Sequence, residues 1–381
     1  MQKKVFVVSD NIISPLGFTS EENFSQLKNS VSGIRLHNKP DLWHDSFQAS
    51  LFENDIENNL TNLLDNTFTR FEKLLIESIN SSLKKCSVDV KSSKTVFIIS
   101  STKGNIKLLE NLGRAIQDTE KISLQHSAKL ISSYFGNPNR PIIVSNACIS
   151  GALAIVVGMR VIKSGMYDNA VIAGSDLISK FILSGFYSFQ AISDEACKPF
   201  DKSRKGITLG ESSGTLILSA YSDKKQDAIC VSGGAITNDA NHISGPSRTG
   251  EELSHAIGKT MEEGGIKSKD VDFISLHGTA TDYNDEMEAN AVSLSHLHNV
   301  PANSLKGYFG HTLGASGIIE SIITIHSMKN NLIIPTMGYT ESGVSKQINI
   351  SQTLQELPLF HCIKTASGFG GCNVSVLFCK N

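Results

Sequence analysis

Short unbroken apolar runs alternate along this chain with stretches whose apolar residues recur at helical spacing. Residues 4–8, 94–100, the run from Ile142 that breaks at Asn146, residues 170–174, 215–219, 228–234 and 273–276 read as strands. Helical spacing covers residues 68–83, 105–118, 127–135, 152–163, 250–263, 285–296 and 315–329. Thr19-Ser20-Glu21-Glu22 is a capping sequence for a helix to about residue 29, after a turn at Ser14-Pro15-Leu16-Gly17. Gly165 closes the helix after Ile142–Asn146. Residues 30–65 and 181–214 read as loop, the former with short helices. Unbroken apolar strands separated by helices argue for a mostly parallel sheet covered on both faces.

The polar run Ser222–Asp227 is the best internal boundary, and the same alternation restarts after it. Ile149-Ser150-Gly151 and Ala315-Ser316-Gly317 each open an apolar helix, a hint that the two parts share one plan. The halves are then residues 1–222 and 223–381.

Composition narrows the class. The chain has 381 residues, 40% hydrophobic and 19% charged, enough for a sizeable core. A net charge of -2 gives no reason to expect a nucleic-acid partner. The first apolar run is too short for a signal peptide, and no window approaches the roughly 18 apolar residues of a membrane span. Seven scattered cysteines without a C-x-x-C pair point to a reduced, cytoplasmic protein and away from structural zinc.

Candidate chemistry begins at Cys148. It lies where a strand turns into a helix, which the sequence places on the helix's first turn. Free N–H groups and the dipole there stabilise a thiolate and lower its pKa, and they can hold an oxyanion. A lone cysteine in such a place is more often only buried. Two histidines in glycine-rich turns, His277 in Leu276–Thr281 and His311 in Ser304–Gly317, change that reading. A nucleophile with two hydrogen-bonding imidazoles is a catalytic set. Gly210-Glu211-Ser212-Ser213-Gly214 has the G-x-S-x-G form, but a strand follows it where a nucleophile elbow needs a helix. His296 and His298 form a surface pair lacking further metal ligands.

With these motifs the chain resembles the elongating β-ketoacyl-acyl carrier protein synthases of the thiolase-like superfamily. The resemblance runs from Ile13–Gly17 through Ala147-Cys148, Lys198–Gly206, Gly210-Glu211, Thr237–Ala240 and both histidine turns to Gly368–Gly371. It implies a five-layered α/β/α/β/α fold with duplicated halves, the cysteine in the first half and the histidines in the second. It implies a decarboxylative Claisen condensation of a Cys148-bound acyl group with malonyl carrier protein, in fatty acid or polyketide elongation. His277 and His311 would hold the enolate, and the N–H groups of Cys148 and Phe369 the oxyanion. Lys306 and Glu288 would balance the charge. Thr279, Thr281, Gly370 and Ser367 would bind substrate, the threonines through the phosphopantetheine arm, and Phe369 would gate the acyl pocket. Arg204, Lys202 and Lys205 would meet the acyl carrier protein. No metal or redox cofactor is implied, since the carrier brings the phosphopantetheine. A dimer is implied, as a homodimer or with a homologous Cys-lacking chain-length subunit.

The departures bear on substrate. Ser9 and Asn11 stand where the family has glycines, and Asn tolerates a left-handed turn. Ser367 replaces an aromatic residue and Cys372 a threonine. The first of these would loosen the acyl channel and favours the heterodimer variant. A non-catalytic chain-length subunit and a malonyl-independent thiolase remain the other readings.

Overall fold

A computed structural model describes residues 3–53, 67–111, 119–222, 227–241 and 245–380. Ten strands form its main sheet system. The first five are β1 (Phe6–Ile13), β2 (Thr95–Ser100), β3 (Ile142–Val144), β4 (Asn169–Asp176) and β5 (Ser212–Ser219). The second five are β6 (Ile229–Asn238), β7 (Phe273–Ser275), β8 (Ala302–Asn303), β9 (His361–Gly368) and β10 (Cys372–Lys380). The longer helices among the described residues are α1 (Ser20–Lys28), α2 (Arg70–Leu83), α3 (Leu124–Tyr134), α4 (Ser150–Lys163), α5 (Lys180–Ser188), α6 (Glu251–Gly264), α7 (Asp282–Leu294) and α8 (Ser316–Asn330).

The strand order is β3-β2-β4-β5-β1 in the first half and β8-β7-β9-β10-β6 in the second. β2 runs parallel to β3 and β4, whereas β5 runs antiparallel to β4 and β1. β7, β8, β9, β10 and β6 repeat that pattern strand for strand. The two sheets touch at one corner, where Phe6 pairs with Cys230. The sheets are mixed and not mostly parallel as the apolar runs suggested, because the strands nearest the junction run antiparallel, and the chain is one α/β plan used twice.

Strand side chains alternate between two cores, as the pleat requires. On β2, Val96 and Ile98 face a central core with Ile155 and Met159 of α4 and Ile318 and Ile322 of α8. Phe97 and Ile99 face outward onto Phe71, Leu75 and Ile79 of α2. On β10, Val374 and Val376 join the central core and Leu377 meets Leu253 and Ile257 of α6. The layers are thus α2 and α3, first sheet, α4 and α8, second sheet, α6 and α7. Helix α8 is buried nearly all round, its polar residues included, because a sheet covers it on both sides.

The two related tripeptides open α4 and α8, and these helices cross at their first turns. A Cβ on Gly151 would lie 2.8 Å from the Ile318 backbone nitrogen, and one on Gly317 would collide with the Ala152 nitrogen. Small residues stand here because two backbones touch.

The structure corrects several expectations. β1 continues five residues past position 8, and no turn forms at Ser9 and Asn11. Its polar residues are paired rather than solvated. Ser9 donates to Ser82 O (2.6 Å), Asn11 donates to Phe18 O (3.0 Å) and Asp10 meets His326 (2.7 Å) and Lys329 (2.9 Å). Within residues 30–65 the described part holds strands Arg35–His37 and Phe47–Ser50, not short helices. Part of the expected 181–214 loop is helix α5, capped by Ser179. The expected helix at 105–118 is a 3-10 turn at Ile106–Asn111, and residues 112–118 lie outside the described residues, as do 223–226 of the boundary run. Gly165, in a left-handed conformation, follows the C-cap Ser164. Among the described residues no helix is long and apolar enough to cross a membrane.

Gly317→Ala should lower stability by about 1–3 kcal/mol through overpacking at the helix crossing, read as a reduced urea midpoint. An unchanged midpoint would show that the crossing yields.

Candidate functional site

In each half, the loops after the second and third strands open at the same end of the parallel ladder. Those after β3, β7 and β8 carry Cys148, His277 and His311. Cys148 precedes the α4 N-cap, Ile149, so it sits in the turn ahead of the helix and not on its first turn. Ala147 takes a left-handed φ of 44°, uncommon for a side-chain-bearing residue. Ser150 stitches this turn: its Oγ accepts from Asn146 N (2.8 Å) and donates to Ala147 O (2.6 Å). Gly278 (φ 38°) and Gly310 (φ 69°) likewise adjoin the two histidines. His311 is further pinned by the first half, since its N–H donates to Thr208 O (2.6 Å) and its carbonyl accepts from Gly210 N (3.1 Å).

These turns bring together what the chain separates. Cys148 Sγ and one nitrogen from each imidazole lie within 4.8 Å of one another. The two rings meet edge to face, with centroids 5.2 Å apart. All three residues are buried at the base of a cleft of about 670 Å³. Thr279, Thr281, Ser367, Phe369 and Gly370 line the same cleft. The two threonine hydroxyls are 2.8 Å apart. Phe369 packs on Phe186 (5.9 Å) and Phe189 (5.3 Å), an aromatic wall beside the nucleophile. Its backbone N–H is near enough to the Cys148 sulfur to favour the thiolate.

Lys306 controls His277. Its ammonium donates to His277 O (2.6 Å), faces His277 Nδ1 (3.3 Å) and pairs with Glu320 (2.7 Å). An ammonium can only donate, so Nδ1 of His277 accepts and Nε2 carries the proton. The same holds for His311, whose Nδ1 receives the Leu313 N–H (3.3 Å) and lies 3.0 Å from Ser316 Oγ. Burial first, then Lys306, pushes both imidazoles well below the usual histidine pKa, so both are neutral at pH 7. The site therefore presents two neutral Nε2–H donors. This arrangement opposes metal binding. A metal-ligating histidine donates its remote N–H to an acceptor, and both remote nitrogens here face donors. Cys148, His277 and His311 form the one metal-like cluster among the described residues, and their protonation suits an oxyanion instead.

The Cys148 thiol also differs from expectation. Burial pushes it up to about 11, against the lowering pull of Lys306, Lys103 and the Phe369 N–H. It rests as a thiol.

Glu288 feels the charges of Lys364 and Lys306, as a shared charge balance requires, but it is not the direct ion-pair partner of Lys306. Its oxygens accept from His277 N (2.8 Å), Gly278 N (2.6 Å), Thr365 Oγ1 (3.0 Å) and Asn284 Nδ2 (3.1 Å). It shapes the His277 turn, while the carboxylate that pairs Lys306 is Glu320, shared with Lys364 (2.7 Å). Neither Glu320 nor Lys364 stands out in the sequence. Each is a lone charge inside an apolar element, Ile318–Ile325 or Cys362–Ala366, and a charge that must be buried there needs a partner.

Arg204, Lys202 and Lys205 do not form a free basic patch. Arg204 is only 7% exposed and donates to Asp201 O (3.1 Å) and Gly343 O (2.6 Å), beside Asp282 and Asp285. It latches its loop onto α7 at the cleft wall. Lys202 pairs with Glu341 and Lys205 with Glu195. Ser212 of the G-x-S-x-G sequence is buried within β5, and His296 and His298 are exposed. Ser367 is buried and donates to Asn373 (2.7 Å), while Cys372 donates to Asn146 (3.0 Å).

Comparison with known proteins agrees with this geometry. Residues 2–224 match the family model described as "Beta-ketoacyl synthase, N-terminal domain", and residues 228–340 match the corresponding C-terminal domain. A 3-oxoacyl-[acyl-carrier-protein] synthase 2 of Staphylococcus aureus (strain COL) is 24% identical, covering 99% of this chain and 98% of its own. Among solved structures, the ishigamide ketosynthase/chain length factor superposes with a TM-score of 0.90 at 20% identity, covering 100% of both chains. The ketosynthase ApeO in complex with its chain length factor ApeC, from Xenorhabdus doucetiae, gives 0.86 at 23% identity, covering 100% of this chain and 98% of that one. The fold is the thiolase-like one.

Because the folded state keeps both imidazoles neutral while the unfolded chain protonates them near pH 6.5, stability falls as pH drops below that value. A His277→Gln/His311→Gln variant should lose less stability between pH 7 and pH 5. The difference is on the order of 1 kcal/mol per pH unit per imidazole, read from urea midpoints. Parallel curves would contradict neutral imidazoles.

Proposed function

The chain belongs to the β-ketoacyl synthase family, a carbon–carbon bond-forming acyltransferase, and we propose how its own residues run the decarboxylative condensation. Cys148 takes the acyl group from a carrier-protein thioester. Its sulfur bonds to the acyl carbon, the carrier sulfur leaves, and the thiol proton departs with that leaving group. The tetrahedral oxyanion lies against the N–H groups of Cys148 and Phe369. Malonyl carrier protein then enters along Thr279 and Thr281. Its C–C bond to the carboxylate breaks, carbon dioxide leaves, and the electron pair moves into the thioester as an enolate. The Nε2–H groups of His277 and His311 hold that oxygen. The enolate carbon attacks the Cys148 thioester, expelling the thiolate and leaving a β-ketoacyl chain on the carrier.

The observation that carries this reading is the pair of neutral imidazole donors facing one cysteine. Donors already aimed where the oxyanion develops stabilise it with no reorganisation at the moment of reaction. Lys306 and Glu320 hold the His277 tautomer, and the Phe186–Phe189–Phe369 wall is the gate to the acyl side. The chemistry uses the chain's own side chains, with the phosphopantetheine arriving on the carrier. The carrier docks at the cleft mouth, where the exposed cations Lys205 and Arg248 line the cleft. The enzyme works as a dimer in the reducing cytoplasm.

A second reading makes this chain the catalytic subunit of a heterodimer with a Cys-lacking chain-length partner in polyene or polyketide assembly. Ser367 favours it, because a small polar residue stands beside Phe369 where the elongating enzymes carry an aromatic. A strict homodimer with full condensing activity would exclude it. Retention of Cys148, His277, His311 and Lys306 argues against a non-catalytic subunit, and malonyl dependence separates the enzyme from a thiolase.

Incubation with an acyl carrier protein thioester should place an acyl adduct on Cys148, seen by mass spectrometry and absent in Cys148→Ala. His277→Ala and His311→Ala should each keep the adduct and lower condensation by roughly 10²–10³-fold, the effect of removing one oxyanion donor. Cys148→Ala should still release carbon dioxide from malonyl carrier protein. An adduct elsewhere, or decarboxylation indifferent to both histidines, would overturn the assignment.

A further inference from the structure

Four equivalent loops follow the second and third strands of the two halves. Three of them carry Cys148, His277 and His311. The fourth, after β2, carries Ser101-Thr102-Lys103-Gly104 and supplies none of the reacting groups described so far. Ser100, which closes β2, is the ladder partner of Val144, four residues before Cys148. Lys103 is nearly buried, 7% exposed, and its ammonium lies 2.6 Å from Thr102 Oγ1 and 3.3 Å from Asp176.

Asp176, at the end of β4, gathers that loop to the rest of the site. It accepts from Ser101 Oγ (2.7 Å), Thr102 N (3.0 Å), Thr102 Oγ1 (2.9 Å) and Gly314 N (2.7 Å). Gly314 belongs to the turn that follows His311. It is wedged so tightly that a Cβ there would lie 2.8 Å from both Asp176 Oδ2 and Thr102 N. Its carbonyl accepts from Ser100 Oγ (3.2 Å) and would lie 2.9 Å from a Cβ on Gly151, in the first turn of α4, which follows the Cys148 turn. The Lys103–Asp176 pair therefore stands at the joint between the nucleophile turn and the His311 turn.

We propose that Lys103 is a positioning residue for the condensation, holding a positive charge beside Cys148 from the first half as Lys306 does from the second. Asp176 fixes the ammonium in place and opposes part of its charge. The charged groups acting on Cys148 are then Lys306 and Lys103, which favour the thiolate, and Asp176, which disfavours it. His277 and His311 are neutral, and the Phe369 N–H adds a dipole. An ion pair that served only to tie loops together would have no such effect on sulfur.

The inference rests on Cys148 being the nucleophile, but it can be tested without the condensation. The test is the pH profile of Cys148 alkylation by iodoacetamide, resolved from the six other cysteines by peptide mass spectrometry. Lys103→Met should move the profile to higher pH, and alkylation at pH 7.5 should slow by roughly tenfold for every pH unit that the profile moves. Lys103→Arg should restore it. Asp176→Asn, which keeps the cation and removes the anion, should accelerate alkylation at the same pH. Opposite signs in the two variants are the mark of charge acting on sulfur. If Lys103→Met fails to fold, the Arg and Asn variants decide alone. Profiles that superimpose on the parent, or that slow together as loosened loops would make them, overturn the proposal. A failure of Cys148 to take an acyl group would instead sink the nucleophile reading and leave this profile intact.

Discussion

A carboxylate buried between two lysines is the interaction on which the site depends. Glu320 lies in the helix between the two sheets, and each of its oxygens meets an ammonium, Lys306 on one side and Lys364 on the other. Lys364 also donates to the carbonyls of Ser275 and Leu276, and Lys306 to that of His277. One acid thus fixes the backbone on both sides of the strand end from which His277 projects. Removing one partner from such a cluster leaves an uncompensated buried charge, a loss of about 3–5 kcal/mol. The cluster also gives direction to the chemistry. Lys306 can only donate to Nδ1, so the His277 proton must sit on the nitrogen that faces the cleft.

The duplicated fold explains why these groups meet at all. Two copies of one strand order place the ends of their parallel strands in one region, and the helices that follow cross on Gly151 and Gly317. Their N-termini lie beside the nucleophile turn and the His311 turn. Two helix dipoles then favour negative charge near the sulfur. Burial works against them and keeps the resting thiol protonated. A resting thiol is compatible with catalysis, because the proton leaves as the acyl group arrives and the field then stabilises the anionic stages.

Much of this is legible in the chain. Cys148, His277 and His311 stand in turns whose glycines and small residues permit positive φ and close approach, so the motifs reveal the geometry. Lys306 is legible for the same reason. Glu320 and Lys364 are not, because their elements read as plain apolar core and only the packed structure shows which charge each meets. Glu288 looks like the partner of Lys306 from its position after His277, yet its oxygens are taken by backbone N–H groups. Arg204 looks like a surface cation because its neighbours are basic, whereas its stem and guanidinium are locked against Asp201, Gly343 and α7. The length of β1 is hidden because Ser9, Asp10 and Asn11 break an apolar pattern. Their partners lie on α2, on α8 and in the turn before α1, which no local pattern can supply.

The most direct test is the protonation of the two imidazoles in the free enzyme at pH 7. Nitrogen-15 shifts of histidine-labelled protein, assigned with His277→Gln and His311→Gln, distinguish the two neutral tautomers from imidazolium. Both residues should show a protonated Nε2 and an unprotonated Nδ1. A proton on Nδ1 of either ring, or an imidazolium pattern, would mean that the paired donors facing Cys148 do not exist as described.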